Sequence, residues 1–249
     1  MSHHVLEYDV VEMKYNHCCV NNIPRGFEHA SQTAVAVNEN GIFVNLYLPL
    51  VCKAGKDEIR ISDGYTNACK VEVTLSLECA KTVSFRIPGW SKKTVVCYNG
   101  MTATPDCGGY FAIQASQGES VVSISFDQTP RLLRANYIRD VFPLTPYLTM
   151  RYNMHEPAET LDDNKATLCI GPMLMALSTE LGTDWETITK RPTVNATALS
   201  CTAEEMDRED MLCKYQVTFH TKDAKETIPM CDYASASNRF KEKDFSIFV

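Results

Sequence analysis

Short segments that alternate between apolar and polar residues constrain this chain more than any other feature of its sequence. Lys70 to Leu77 alternates at almost every position, and Thr82 to Ile87 repeats the alternation until Pro88-Gly89 interrupts it. Successive side chains of a strand point to opposite faces, so these segments predict strands with one buried face. Thr94 to Tyr98 runs into Asn99-Gly100, a strong signal for a hairpin turn. Such short, turn-separated strands predict an antiparallel β-sandwich.

A helix is predicted near the start of the chain, over Asn22 to Ala36. Four apolar residues recur there at steps of three and four, and Pro24 is tolerated in a first helical turn. The apolar residues are Ile23, Phe27, Ala30 and Ala34. The following segment, Ile42 to Leu48, is almost continuously apolar, which predicts a strand buried on both faces.

A second β region is predicted in the carboxy-terminal half. Lys165 to Leu177 predicts a strand on either side of Gly171-Pro172, and Leu212 to His220 alternates again. The charged stretch Ala203 to Asp210 predicts a helix or loop, and Phe245 to Val249 predicts an edge strand. The predicted parts are therefore residues 1–40, a first sandwich over 41–138, and a second β-rich region over 139–249. Whether the last strand returns to the first sandwich is left open.

Charge and composition exclude several classes of partner. Acidic residues outnumber basic ones and the formal charge is -7, whereas binding to a phosphate backbone requires Lys and Arg, so we expect no nucleic acid. No apolar run approaches the roughly 20 residues of a membrane helix, so we expect no membrane partner. The start, Met1-Ser2-His3-His4, lacks the pattern of a secretory signal. The protein is therefore expected in the cytoplasm, unless its natural start has been removed.

The cysteines predict reduced thiols rather than a disulfide framework. Their number, 11, is odd, and no CxxC pair occurs. Cysteine buries as a small hydrophobe, so we expect most of these side chains in the core. This expectation covers Cys52, Cys69, Cys79, Cys97, Cys107, Cys169, Cys201, Cys213 and Cys231.

Four segments, in this order, resemble the β-L-arabinofuranosidase family of glycoside hydrolases. Cys18-Cys19-Val20-Asn21-Asn22-Ile23-Pro24-Arg25 is similar to the family's double-cysteine motif, in which two prolines normally follow the cysteines. Val44 to Tyr47 corresponds to the next strand, and Arg86-Ile87-Pro88-Gly89-Trp90 to a motif of the family's first sandwich. Gly171 to Ala176 resembles the strand that opens its later β portion.

The resemblance implies a fold class and a chemistry. The fold is expected to be all-β, with one or two antiparallel β-sandwich domains preceded by a remnant helix of an (α/α) barrel. In the family the first cysteine is the nucleophile of a retaining glycosidase, and the pair binds zinc. By position, Cys18 would be the catalytic nucleophile, and Cys18 and Cys19 would be metal ligands. Bound zinc favours the thiolate that attacks.

The same resemblance implies that most of the pocket lies outside this chain. Tetrahedral zinc takes four ligands, so zinc is expected only if the missing ligands are supplied. A retaining glycosidase also needs an acid/base group, and the nearby acids stand in no recognised catalytic context. They are Glu7, Asp9, Glu12 and Glu28. His17 could be a metal ligand, or it could be a surface or packing residue. At Val20-Asn21 the sequence departs from the two prolines of the family motif, and Asn21 or Asn22 is expected to cap the helix instead.

Two functions remain open at this point. The chain is either the β-sandwich region of an arabinofuranosidase-like enzyme, inactive alone, or a non-catalytic carbohydrate-binding or structural module. Carbohydrate is the expected ligand, and a separate barrel chain or self-association are the open alternatives for a protein partner. Tyr47, Tyr110 and Tyr137 are candidate aromatic contacts for a sugar. Pro88-Gly89 and Trp90 are expected to be architectural, as a turn and a packed ring.

Overall fold

A computed structural model describes residues 17–62, 69–134, 166–182, 200–207, 211–220, 225–238 and 245–246. The chain divides into two units, Met1–Gln128 and Thr129–Val249. Strands dominate both units, and a helix precedes the strands of the first, which confirms the predicted fold class. The strand Arg131–Arg134 falls within the predicted first sandwich but pairs in the second unit. The three-part division into domains stays a prediction.

The first helix, α1, spans His17–Ala34. The predicted bounds, Asn22 to Ala36, were wrong at both ends. Pro24 lies inside the helix rather than in its first turn, where its ring removes one backbone hydrogen bond. Asn21 and Asn22 also lie inside the helix, so neither caps it. The helix ends at Ala34 because the β-branched Val35 begins a strand.

The described residues of the first unit contain ten strands, which form two sheets. The strands are β1 Val35–Asn38, β2 Gly41–Val44, β3 Leu50–Ala54, β4 Asp57–Ile61, β5 Lys70–Leu77, β6 Lys81–Arg86, β7 Val95–Tyr98, β8 Met101–Ala103, β9 Tyr110–Ala115 and β10 Gly118–Ser125. The sheet orders are β1-β2-β6-β9 and β3-β4-β5-β10-β7-β8. The pair β2–β6 is parallel, unlike the predicted antiparallel arrangement. This is possible because the chain passes through β3, β4 and β5 of the other sheet before it returns.

One hydrophobic core joins the two sheets, which confirms the predicted sandwich. Phe85 and Ile42 of the first sheet and Leu75 and Ile124 of the second are fully buried in the same cluster. Burial of each such side chain contributes about 1.5 to 3 kcal/mol. The strand predicted over Ile42 to Leu48 ends at Val44, and its burial alternates, so burial on both faces was wrong.

Two turns of the first unit depend on residues that tolerate positive φ. Asn99 and Gly100 have φ of 49° and 76° and connect β7 to β8, as the sequence predicted. Gly41 has φ of 128°, and a Cβ there would lie 2.2 Å from the Thr82 carbonyl oxygen. Glycine at this position therefore permits β2 to approach β6.

The described strands of the second unit are β11 Arg131–Arg134, β12 Ala166–Ile170, β13 Met173–Ser178, β14 Ser200–Glu205, β15 Lys214–His220, β16 Lys225–Asp232 and β17 Phe245–Ser246. They form an antiparallel sheet with the order β11-β12-β13-β16-β15-β14, and β17 pairs with β13. A short 3-10 helix, Thr179–Leu181, follows β13, and helix α2, Tyr233–Asn238, follows β16. The strands predicted on either side of Gly171-Pro172 are confirmed, and Ile170 pairs with Met173.

The segments of β14 and β17 were both the subject of predictions from the sequence, and the prediction for β14 was wrong. Residues 203 to 205, predicted as helix or loop, belong to strand β14, and residues 208–210 lie outside the described part. β14 ends the sheet order and pairs with β15, so its charged side chains remain largely in solvent. The edge strand predicted over Phe245 to Val249 is described at Phe245 and Ser246, which pair with Ser178 and Leu177 of β13. Residues 247–249 lie outside the described part.

Candidate functional site

The predicted catalytic and metal-binding pair lies at the start of α1. The helix begins at His17, so Cys18 and Cys19 are its next two residues. The structure describes the backbone of these three residues but not their side chains. The predicted roles of Cys18 and Cys19, and the weighed role of His17, therefore stay predictions.

The carboxy-terminal end of α1 is fixed to the sandwich by Asn45. The backbone N–H of Asn45 donates to the Ala34 carbonyl oxygen at 2.8 Å, and its side-chain Nδ2 donates to the Thr33 carbonyl oxygen at 2.9 Å. Leu46 N–H also donates to Ala34, at 3.2 Å. These bonds satisfy carbonyl groups that a helix end leaves without an intrahelical donor.

The preceding turns of α1 expose large apolar side chains. Phe27 is 74% exposed and Ile23 is 57% exposed, whereas Ala34, at the fixed end, is fully buried. The apolar residues share one face by their spacing, which ordinarily packs against another element. We call Ile23, Phe27 and Ala30 the apolar stripe of α1. Exposed stripes of this kind usually mark a surface for another part of a protein.

No complete metal site is present in the part of the chain that the structure describes. Groups of three or more His, Cys, Asp or Glu side chains that could hold an ion are absent from those residues. The acid of α1, Glu28, accepts a hydrogen bond from Gln32 Nε2 at 3.1 Å, and its carbonyl oxygen accepts one from Ser31 Oγ at 2.8 Å. Two cysteines would supply only half of a tetrahedral zinc site. The described residues therefore do not fit zinc by themselves.

Two of the three candidate tyrosines are described, and they differ. Tyr47 is 1% exposed and donates from its hydroxyl to the Arg86 carbonyl oxygen at 2.8 Å, so it cannot contact a ligand. Its assignment as a sugar contact was wrong. Tyr110 is 53% exposed, as predicted. Tyr137 lies outside the described residues.

Tyr110 is held on the surface of the four-stranded sheet. Its hydroxyl donates to Asn45 Oδ1 at 2.6 Å, and its ring meets the ring of Phe43 at 87° with centroids 5.7 Å apart. Asn45 thus links the end of α1 to Tyr110. Sequence reasoning missed Asn45, although it is the one polar residue within Ile42 to Leu48. A polar residue that interrupts an otherwise apolar run was the signal in the sequence that could have identified Asn45.

The motif around Trp90 is architectural, as predicted. Ser91 N–H donates to the Pro88 carbonyl oxygen at 3.0 Å, which closes the turn. The Trp90 ring packs against Phe126 with centroids 5.8 Å apart. The segment stabilises the sandwich and offers no catalytic group.

The described cysteines are free thiols, and several are poor nucleophiles. Burial raises the pKa of the Cys231 thiol to about 12, and burial also raises the pKa of Cys169 and of Cys201. A thiol with a raised pKa carries little thiolate at neutral pH. Most of these side chains were expected in the core, and that expectation was wrong for Cys79 and Cys97, which are exposed.

Comparison with known proteins gives matches in structure but not in sequence. No family model matches the chain, and no curated protein matches it. A solved structure described as a glycoside hydrolase superposes with a TM-score of 0.63 and 17% identity, over 98% of this chain and 42% of that one. No helix among the described residues is long and apolar enough to cross a membrane.

Two further solved structures are more precisely described. A GH127 β-L-arabinofuranosidase from Geobacillus stearothermophilus T6 gives a TM-score of 0.58 and 17% identity, over 93% of this chain and 37% of its own. A GH127 β-arabinofuranosidase gives 0.54 and 18%, over 87% of this chain and 36% of its own. The chain thus spans less than half the length of these structures.

The fold is therefore that of part of a glycoside hydrolase. More narrowly, it is the fold of the carboxy-terminal portion of the GH127 β-L-arabinofuranosidases, as the sequence motifs predicted. At this level of identity the likeness concerns the fold.

Proposed function

We propose that this chain forms the β-sandwich region of a β-L-arabinofuranosidase-like glycoside hydrolase that acts on arabinose-containing plant carbohydrate. The fold of GH127 enzymes supports the proposal, and so does the order of motifs from Cys18-Cys19 to Gly171-Pro172.

The observation that carries the proposal is the apolar stripe of α1 on the helix that bears Cys18 and Cys19. Phe27 and Ile23 are large apolar side chains that gain about 1.5 to 3 kcal/mol each when fully buried. They remain mostly in solvent here, so the stripe is suited to pack against further helices. Such helices would complete a pocket around the cysteine pair.

Catalysis then requires groups beyond those described here. In the proposal Cys18 attacks the anomeric carbon, and an acid on the opposite side of the glycosidic bond protonates the leaving oxygen. Zinc, bound by Cys18 and Cys19 with ligands from the added helices, would favour the thiolate. Glu28, the acid of α1, accepts a hydrogen bond from Gln32 of its own helix and stands in no recognised catalytic context, so we expect the acid from the added helices. We therefore expect the 249-residue chain alone to be inactive.

The test compares this chain alone with a chimaera in which the helical part of a GH127 enzyme precedes it. Hydrolysis of 4-nitrophenyl β-L-arabinofuranoside is measured with and without zinc. We expect no turnover by the chain or by the helical part alone, and turnover by the chimaera that Cys18→Ser abolishes. Turnover by this chain alone, or by the Cys18→Ser chimaera, would contradict the proposal.

A second candidate function is a non-catalytic carbohydrate-binding module. The exposed and fixed ring of Tyr110 favours it, because aromatic rings are the usual contact for the apolar faces of sugars. In that case sugar affinity survives Cys18→Ala combined with Cys19→Ala. The two functions are compatible, since Tyr110 lies on β9 and the cysteines lie on α1.

A further inference from the structure

We propose that Tyr110 and Arg86 form a binding platform for an acidic sugar on the outer face of the four-stranded sheet. The two residues are direct partners across β6 and β9. Their neighbours along the strands point the other way, since Phe85 is fully buried and Phe111 packs against the core. Arg86 and Tyr110 therefore lie on the solvent side of the sheet.

The Tyr110 side chain lies along the sheet rather than upright from it. Its hydroxyl reaches Asn45, which follows β2, although β6 lies between β9 and β2. Neighbouring strands are about 4.8 Å apart, so a side chain that bridges this gap must extend across the intervening strand. With 53% of its surface exposed, the ring presents open area outward above the sheet.

The ring is also ordered before any ligand arrives. The hydrogen bond to Asn45 and the contact with Phe43 restrict both torsions of the side chain. A preorganised ring loses little conformational entropy when a ligand binds. The C–H groups on one face of a sugar ring form an apolar surface that stacks on the electron-rich face of an aromatic ring.

Arg86 adds a positive charge beside this ring. Its side chain is exposed, and in the described part of the chain it has no hydrogen bond or ion pair to another side chain. A guanidinium group binds a carboxylate through two parallel hydrogen bonds, a geometry that lysine does not provide. A uronic acid offers a ring and a carboxylate together. The overall charge of -7 opposes anions, so we expect such binding to depend on a local positive charge, that of Arg86.

This platform does not rest on the proposed glycosidase function, because neither residue belongs to α1. The test is a titration of the full chain with trigalacturonic acid, and with the neutral trisaccharide of galactose as comparison. Binding is followed by calorimetry at low and at high salt. We expect the acidic trisaccharide to bind more tightly, and the difference to shrink at high salt.

Variants separate the two contacts. Tyr110→Ala should weaken binding about tenfold or more, as for the loss of a stacked ring. Arg86→Gln should reduce the affinity for the acidic trisaccharide to that for the neutral one. The affinity of Arg86→Lys for the acidic trisaccharide should lie between those of Arg86→Gln and the parent. Tyr110→Phe keeps the ring but loses the bond to Asn45, so we expect a smaller loss. If Tyr110→Ala fails to fold, Tyr110→Phe still tests whether the fixed position of the ring contributes to binding.

The matched control is Arg60→Gln, which removes the same charge from the other sheet, where Arg60 bonds to Glu58 at 2.9 Å. It should leave affinity unchanged. The proposal is overturned if the acidic trisaccharide does not bind, if Arg60→Gln and Arg86→Gln weaken it equally, or if folded Tyr110 variants bind like the parent.

Discussion

Helix α1 and the sandwich it adjoins place their apolar side chains in opposite ways. In the sandwich, the inward residues of both sheets meet in one core, and Phe85 is fully buried. In α1, the largest apolar residue, Phe27, is 74% exposed. Both elements show the apolar spacing expected for their type of secondary structure. In the sandwich, the apolar face of each sheet packs against the other sheet. Helix α1 is fixed to the described residues mainly at its carboxy-terminal end.

This contrast separates folding from function in the first unit. The sandwich can be stable without α1 because its core does not include the apolar stripe. The predicted nucleophile lies on the element whose stripe is uncovered, so a functional pocket would depend on what covers that stripe. Under the proposed function, we therefore expect the chain to be stable but inactive by itself.

The largest effect is expected from truncation of the sandwich core. Phe85→Ala removes a fully buried ring of β6 and should lower the free energy of unfolding by about 3 to 5 kcal/mol. Urea unfolding monitored by Trp90 fluorescence, in a Trp185→Phe background, measures it. The matched truncation Phe27→Ala removes the same atoms from an exposed position and should cost less than about 0.5 kcal/mol. Equal losses would show that α1 is buried in solution.

A smaller effect is expected where the two elements join. Asn45→Ala removes the side-chain bond to the Thr33 carbonyl and the acceptor of the Tyr110 hydroxyl. We expect a loss of about 1 to 2 kcal/mol, the sum of two modest hydrogen bonds. Amide hydrogen exchange should accelerate in α1 far more than in β5. Acceleration spread evenly over the whole unit would contradict a local anchor.

The sequence predicted the sandwich better than the site, for physical reasons. The alternation over Lys70 to Leu77 depends only on the local geometry of a strand, and β5 has the bounds that it predicted. The parallel pair β2–β6 depends on where the chain re-enters the sheet, which no local pattern encodes. The role of Asn45 likewise arises from contacts with Thr33 and Tyr110, one of them 65 positions away. The roles of Cys18 and Cys19 come from resemblance and remain untested.

An ion pair between the sheets gives the sandwich a pH dependence. The hydrogen bond from Lys81 of β6 holds the pKa of Asp57 of β4 below its ordinary value of 3.8, and Glu78 N–H also donates to it, at 2.8 Å. A lowered pKa in the folded state stabilises the protein above the unfolded-state value. That contribution is lost as the pH falls through the folded-state value.

Lys81→Met should therefore destabilise the sandwich near neutral pH, and the difference from the parent should shrink below about pH 3.8. We expect an effect smaller than that of Asn45→Ala, because the Lys81 side chain is 32% exposed and solvent weakens the pair. Urea unfolding at several pH values measures it. A difference that stays constant down to pH 2 would assign the loss to packing rather than to charge.

The smallest effect on stability, and the sharpest test of the contrast, is expected from the double change Ile23→Gln with Phe27→Gln. Both side chains are mostly in solvent, so the free energy of unfolding should change by less than about 0.5 kcal/mol. Binding of a hydrophobic dye should fall, because two large apolar groups leave the surface.

In the chimaera with a GH127 helical part, the same change should abolish activity, since polar groups would then be buried without partners. Val51→Gln, on the outer face of the other sheet and also exposed, is the matched control and should leave the chimaera active. Unchanged activity after the double change would mean that the stripe of α1 packs against no part of the pocket.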